Sequence, residues 1–144
     1  MNIENDSTLT LPRKMTNLIL AHAQQNPETE ICGLISAQNH LAKHYYPVPN
    51  VAANSATLFE MDEQAQIDTM KKMREQGEEL LAIVHSHPHS AAMPSALDQA
   101  QHQYPETYYL IVSLNTVGVL ELRAFKQKNQ DFESVELILE HPDQ

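Results

Sequence analysis

Residues 80–88 read Leu-Leu-Ala-Ile-Val-His-Ser-His-Pro, and this stretch decides the fold. Its first five residues are aliphatic, and they come after a stretch with a helical pattern. This order predicts a central β-strand. Side chains at positions i and i+2 of a strand point to the same side, so His85 and His87 would aim two imidazoles at one point. Imidazole suits zinc, although a His-x-His pair on its own is more often an ordinary strand end. The stretch therefore raises a metal site as a hypothesis that needs further ligands.

The next residues offer such a ligand. Pro94-Ser95 precedes a short predicted helix over residues 96–102, in which Ser95 is placed as N-cap and Asp98 lies in the first turn. A carboxylate oxygen can complete a set of three protein ligands, and Asp98 can return to the point where the imidazoles meet. Three protein ligands with an open fourth position describe a catalytic zinc site rather than a closed structural one.

Outward from this stretch, helical and strand patterns alternate. A helix is predicted from Pro12 to about Asn26-Pro27, with an apolar stripe that includes Met15, Leu18, Ile19 and His22. A second helix is predicted over residues 62–76, with Ile67, Met70 and Met73 on one face. Strands are predicted at residues 31–37, 40–48, 80–87, 108–114, 119–126 and 135–140, with a turn at 115–118. The alternation predicts an α/β fold with a mixed sheet flanked by helices.

Composition limits the classes of function. The chain has 144 residues, with 42% hydrophobic and 19% charged residues, which suits one folded domain over residues 1–144 with residues 1–8 as a flexible N-terminus. The formal net charge is −10, so neither nucleic acid nor an anionic membrane surface is an expected partner. One cysteine excludes a disulfide framework and a thiolate zinc site. The N-terminus lacks signal-peptide character and no apolar run is long enough to span a membrane, so a cytoplasmic protein is expected.

The combined pattern resembles a known family. His85-x-His87, then Ser95-x-x-Asp98, is similar to the signature of JAMM (MPN-plus) zinc metalloproteases. The family's upstream Glu-x-Cys-Gly-Leu segment is matched by Glu30-Ile31-Cys32-Gly33-Leu34, and Asn50 and Phe59 also fit its pattern. The resemblance covers nearly the whole chain. It implies the JAMM/MPN fold, a layered architecture like that of cytidine deaminases, although the deaminase cysteine pair is absent.

The resemblance implies a role for each matched residue. His85, His87 and Asp98 would bind one Zn²⁺, with water as the fourth ligand. Glu30 would be the general acid/base that takes a proton from that water, and Ser95 would donate a hydrogen bond to the carbonyl oxyanion. Glu28 competes with Glu30 for this role, and the match to Glu-x-Cys-Gly favours Glu30. Cys32 is expected to be a small buried strand residue rather than a nucleophile.

The resemblance also implies a substrate class. The chain looks like the compact, stand-alone prokaryotic branch, whose members cleave amide bonds at the C-terminal Gly-Gly tail of ubiquitin-like β-grasp sulfur carriers. Two alternatives stay open: a JAMM metalloprotease for another peptide, of phage-tail or cell-wall type, and a non-catalytic zinc-binding MPN module. The chain departs from many relatives at Ala37 and at His89-Ser90-Ala91-Ala92, where they have glycine. His89 is expected to be an exposed loop residue.

Overall fold

The computed structural model describes residues 8–95, 107–115, 120–128 and 131–140. The order of elements is β1 (Thr8–Pro12), α1 (Arg13–Gln24), β2 (Cys32–Gln38), β3 (Leu41–Val48), α2 (Glu63–Glu75), β4 (Glu79–His87), β5 (Tyr108–Ser113), β6 (Glu121–Lys128) and β7 (Asp131–Glu140). The strands form one seven-stranded sheet in the order β1-β7-β6-β5-β4-β2-β3. The sheet is mixed, because β4 runs parallel to β5 and β1 runs parallel to β7, whereas the other pairs are antiparallel.

Strand β4 lies inside the sheet, between β2 and β5. The antiparallel pairing with β2 sets Cys32 opposite His85. The parallel pairing with β5 sets His87 opposite Ser113. The carboxyl end of β4 therefore lies beside the start of β2, and this brings the segment before Cys32 next to the two histidines.

Each face of the sheet carries its own apolar core. Ala82 and Val84 of β4 belong to a cluster with Ile19 of α1, whereas Ile83 belongs to a second cluster with Met73 of α2. Alternate side chains of a strand point to opposite faces, so α1 covers one face and α2 covers the other. The same alternation places His85 and His87 on the α2 side and Ser86 on the α1 side.

The predicted α/β fold with a mixed sheet between helices is confirmed. The predicted strands and both long helices lie within about two residues of their expected ends, except that β7 begins at Asp131, four residues before its expected start. Strand β1 was missed. Within it, the buried Leu9 and Leu11 alternate with the partly exposed Thr8 and Thr10. Residues 1–7, the predicted helix at 96–102 and most of the predicted turn at 115–118 lie outside the described residues. That residues 1–144 form a single domain stays a prediction.

Two expected core residues on the helices are exposed instead. Leu18 of α1 and Ile67 of α2 are 56% and 51% exposed. The buried line of α1 runs through Met15, Ile19 and Ala23, which repeat every four residues. Ile67 is six residues before the buried Met73, a rotation of roughly 240° along the helix, and so lies off the core face. Among the described residues, no helix is long and apolar enough to cross a membrane.

Gly33 of β2 lies directly under the ring of Tyr45 of β3. A Cβ atom at Gly33 would lie 2.5 Å from Tyr45 Cε1 and 2.6 Å from its hydroxyl oxygen. The ring has little freedom to move away, because its hydroxyl is hydrogen-bonded to His22 Nδ1 of α1 at 2.7 Å. The close approach explains why glycine is needed at this position of the Glu-x-Cys-Gly segment.

We therefore expect Gly33→Ala to destabilise the protein. Overpacking of this kind costs about 1–3 kcal/mol in the free energy of unfolding, which urea denaturation measures. The loss should be smaller in a Tyr45→Ala background, because the ring that meets the new methyl group is then absent. An equal loss in both backgrounds would show that the Tyr45 ring is not the cause.

Candidate metal centre and active site

Three of the residues singled out in the sequence meet at the carboxyl end of β4. His85 and His87 come from β4 itself, and Glu30 comes from the segment that leads into β2. One ligand atom from each residue lies within 4.8 Å of the others. All three residues are buried, with exposed fractions of 4% for Glu30, 1% for His85 and 3% for His87. The strand alternation and the β2–β4 pairing together create this cluster.

The imidazole of His87 is oriented by a backbone carbonyl. Its Nδ1 lies 2.8 Å from the carbonyl oxygen of Ala91. A carbonyl only accepts hydrogen bonds, so Nδ1 carries the proton and donates it. In the neutral ring this leaves a lone pair on Nε2, the atom that faces His85. A donor bond from the far ring nitrogen to a carbonyl is the usual support of a metal-binding histidine.

The two imidazoles present the same atom to the cluster. His85 Nε2 and His87 Nε2 are 3.1 Å apart. The ring of His85 is stacked on Phe59, with centroids 4.6 Å apart and an angle of 21° between the planes. Phe59 thus fixes the plane of one ligand, while Ala91 fixes the tautomer of the other. Phe59 matched the family pattern in the sequence, but its contact with His85 joins residues 26 positions apart and had no local signal.

The donor set fits a divalent metal ion. Two imidazole nitrogens that converge beside a carboxylate are typical ligands of zinc. Burying a carboxylate is costly without a compensating positive charge, which a divalent ion at this point would supply. His85 and His87 are therefore candidate metal ligands, and the Glu30 carboxylate lies beside them.

The remaining predicted site residues are exposed or lie outside the described residues. Ser95 is exposed and is the last residue of the described range 8–95. Asp98 lies outside the described residues, so its expected ligand role stays a prediction. Glu28, the competing acid, is exposed, and its carboxylate lies 3.4 Å from Nε2 of the exposed His89. The structure thus buries Glu30 with the histidines and leaves Glu28 at the surface.

Cys32 is buried, and its surroundings do not favour a role as a nucleophile. Its thiol donates a hydrogen bond to the carbonyl of Val48 at 3.3 Å. Burial, together with the negative charge of Glu30, raises the pKa of the thiol to about 12. A thiol with such a pKa remains protonated at neutral pH, as the sequence interpretation expected.

This pKa predicts slow labelling of Cys32. At pH 8 only a ~10⁻⁴ fraction of the thiol would be thiolate, the form that reacts with disulfide reagents. We expect the native protein to react with Ellman's reagent at least about 100-fold more slowly than the urea-unfolded chain at the same pH. Equal rates in the two states would contradict the burial and protonation of Cys32.

Comparison with known protein families shows which family the chain belongs to. The profile for prokaryotic homologs of the JAB domain (Prok-JAB) matches residues 12–127. The chain belongs to this family. The matched range includes Glu30, His85, His87, Ser95 and Asp98. The resemblance found in the sequence to the prokaryotic branch of the JAMM family is confirmed.

Three curated relatives of this Prok-JAB chain are a desampylase, a peptidase and a probable protease. It is 32% identical over 115 residues to a desampylase from Haloferax volcanii, covering 74% of this chain and 81% of the relative. It is 27% identical over 120 residues to a CysO-cysteine peptidase from Mycobacterium tuberculosis, covering 82% of each. It is 32% identical over 117 residues to a probable TtuB-protein conjugate cleaving protease from Thermus thermophilus, covering 81% of this chain and 74% of the relative. Together with the family, these relatives identify the chain as a hydrolase.

Solved structures confirm the JAMM/MPN fold of this family member. A solution structure of a protein from Desulfitobacterium hafniense superposes with a TM-score of 0.81 at 32% identity, covering 92% of each chain. A JAB1/MPN domain protein from Archaeoglobus fulgidus superposes with a TM-score of 0.60 at 20% identity, covering 91% of this chain and 98% of the other. The second likeness shows the fold alone.

Proposed function

We propose that this protein is a zinc-dependent peptidase and isopeptidase that hydrolyses amide bonds at the C-terminal Gly-Gly tail of ubiquitin-like sulfur-carrier proteins. One observation carries the proposal: Glu30, His85 and His87 lie together and buried in a member of the Prok-JAB family. A non-catalytic member would not need to keep all three groups, because each costs free energy to bury.

We assign the metal-binding role to His85, His87 and Asp98. The orientation of His87 by Ala91 and the stacking of His85 on Phe59 support two of these assignments. A bound zinc ion would supply Lewis acidity and a water whose pKa is lowered to about 7. The rest of the chemistry falls to side chains of this chain.

We assign proton transfer to Glu30. Its carboxylate lies beside the two imidazoles in a site from which most water is excluded, where a carboxyl group can both accept and release a proton. Glu30 would accept a proton from the attacking water and deliver it to the nitrogen of the departing amine. This transfer balances the reaction, because the amine leaves as a neutral group while the carbonyl carbon gains the hydroxyl.

We assign the oxyanion contact to Ser95. Its hydroxyl would donate a hydrogen bond to the carbonyl oxygen as negative charge develops there, a contact that contributes about 3 kcal/mol in comparable sites. Ser95 is exposed at the end of the described segment 8–95, downstream of the loop that holds His87. Its exposure suits a residue that meets a substrate arriving from solvent.

The relatives support the carrier as substrate. A CysO-cysteine peptidase and a TtuB-protein conjugate cleaving protease are each named for the protein that they act on, and both match over more than 80% of this chain. We infer the same class of substrate here: a folded β-grasp carrier whose flexible Gly-Gly tail enters the site. The composition agrees, because a net charge of −10 does not suit nucleic acid as a competing partner.

Intact mass spectrometry tests the function. A β-grasp sulfur carrier that ends in Gly-Gly, extended by a single C-terminal cysteine, is incubated with zinc-loaded protein, with chelator-treated protein and without protein. We expect loss of the cysteine only with the zinc-loaded protein. If the carrier stays intact while the protein is shown to hold zinc, the carrier is not the substrate. Cleavage of a cell-wall or phage-tail peptide in the same assay would then favour the alternative protease.

A further inference from the structure

We propose that Asn50 and Ser86 are positioning residues that together hold Glu30 in place for proton transfer. We call this pair the Glu30 clamp. The inference rests on the proposed role of Glu30 and adds two residues to which the sequence analysis gave no function. Glu30 precedes the first residue of β2 by two positions, so the regular pairing of β2 with β4 begins only after it.

Ser86 forms one side of the clamp. It lies between His85 and His87 on β4 and is fully buried. Its hydroxyl oxygen accepts a hydrogen bond from the backbone N–H of Ile31 at 2.8 Å and donates one to the carbonyl of Thr29 at 3.3 Å. The backbone N–H of Ser86 donates to the carbonyl of Ile31 at 3.0 Å. The two neighbours of Glu30 are thus tied to the strand that carries the imidazoles.

Asn50 forms the other side. Its Nδ2 donates to the carbonyl of Glu30 at 2.8 Å and to the carbonyl of Leu58 at 3.0 Å. Its Oδ1 accepts from the backbone N–H groups of Ala52 and Glu60 at 3.0 and 2.9 Å. Two carbonyls on one side and two N–H groups on the other fix the orientation of the amide. All four hydrogen bonds of the side chain go to backbone groups.

The segment of residues 50–60, which the hydrogen bonds of Asn50 hold together, contacts both Glu30 and His85. The backbone N–H of Glu30 donates to the carbonyl of Ser55 at 2.6 Å. The same segment carries Phe59, which is stacked on His85. Both backbone groups of Glu30 are therefore held by residues 50–55, while Ser86 holds the residues on either side. The segment couples the position of the acid/base to the position of one metal ligand.

Such precision matters because proton transfer depends on short distances. A shift of about 1 Å in a reacting group can cost about 100-fold in rate. Loss of the clamp would let the backbone of Glu30 move while the histidines stay on β4. We therefore expect kcat to fall about 10- to 100-fold in clamp variants, with KM and metal content close to those of the wild type.

Three substitutions probe the clamp. Asn50→Asp keeps an oxygen for the N–H groups of Ala52 and Glu60 but replaces the donor that faces the carbonyls of Glu30 and Leu58. Asn50→Ala removes both kinds of contact. Ser86→Ala removes the hydroxyl that bonds Ile31 and Thr29, on the opposite side of Glu30.

Two further substitutions serve as matched controls. Asn54→Ala changes an exposed asparagine in the same segment. Ser36→Ala changes a fully buried serine of β2, whose hydroxyl accepts from the backbone N–H of His44 at 3.2 Å, away from Glu30. Ser36→Ala therefore reports what the loss of a buried hydroxyl does to stability alone.

Two readouts decide the proposal: kcat and KM of the zinc-loaded protein, and hydrogen exchange of the Glu30 and Ile31 amides in the metal-free protein. In all three clamp variants we expect kcat to fall as stated above and the Glu30 and Ile31 amides to exchange at least about tenfold faster than in the wild type. In the two control variants we expect kcat and the exchange rates to stay near the wild-type values. Wild-type kcat in Asn50→Asp and Ser86→Ala, or the same fall in kcat in Ser36→Ala, would overturn the clamp. If Glu30→Gln cleaves as fast as the wild type, the proposed role of Glu30 in proton transfer fails instead, and amide exchange still reports whether the clamp holds Glu30.

Discussion

Replacing His85 by alanine should abolish both metal binding and cleavage. His85 supplies one of the two converging imidazole nitrogens, and Nε2 of its partner His87 lies only 3.1 Å away. Without it, the proposed ligand set is reduced to His87 and Asp98, too few protein ligands to retain zinc against a chelator. We expect zinc content near zero after dialysis against a chelator, and activity at least about 10³-fold below the wild type.

His89→Ala is the matched control for this variant. His89 is also a histidine, only two positions after His87, but its side chain is 61% exposed and meets Glu28 rather than the cluster. It should keep zinc and most of the activity. Because His85 is buried against Phe59, circular dichroism of each metal-free variant checks that the fold is intact. Cleavage by a folded, metal-free His85→Ala protein would refute the metal centre.

Replacing Glu30 by glutamine should separate metal binding from turnover. The change keeps the size of the side chain and removes its ability to accept and release a proton. In our assignment Glu30 is not a ligand, so zinc content should equal that of the wild type. Activity should fall about 10²- to 10⁴-fold, the usual contribution of a general acid/base.

Glu28→Gln provides the control for the loss of a negative charge near the site. Glu28 lies two residues before Glu30, and its side chain is 80% exposed. Its rate of cleavage should stay within about threefold of the wild-type rate, since a solvent-exposed charge contributes little. Loss of zinc in Glu30→Gln would make Glu30 a ligand. A fall in activity caused only by Glu28→Gln would mean that the acid had been misassigned.

Local patterns were enough to predict the centre of the fold. The aliphatic run before His85 predicted β4, and the two-residue alternation placed both imidazoles on one face. Asp62 accepts a hydrogen bond from the Ala65 N–H at 2.9 Å and caps α2, which agrees with the predicted start of that helix. These features depend on residues that are close in sequence, where spacing and capping act directly.

Contacts between distant residues were beyond such reasoning. Nothing near Glu30 shows that it meets residues 85 and 87; the pairing of Cys32 with His85 brings them together, and only the family resemblance singled out Glu30. The stacking of Phe59 on His85 and the hydrogen bonds of Asn50 are equally long-range. Ser86 was passed over because a serine between two histidines has no periodic signal, although its hydroxyl bonds residues more than 50 positions away.

The most direct test of the account is a crystal structure of the zinc-loaded protein with anomalous data at the zinc edge. We predict one zinc ion bound by Nε2 of His85 and Nε2 of His87 at about 2.0–2.1 Å and by a carboxylate oxygen of Asp98, with Glu30 nearby but not coordinated. A zinc ion bound by Glu30 in place of Asp98, or bound away from His85 and His87, would contradict it.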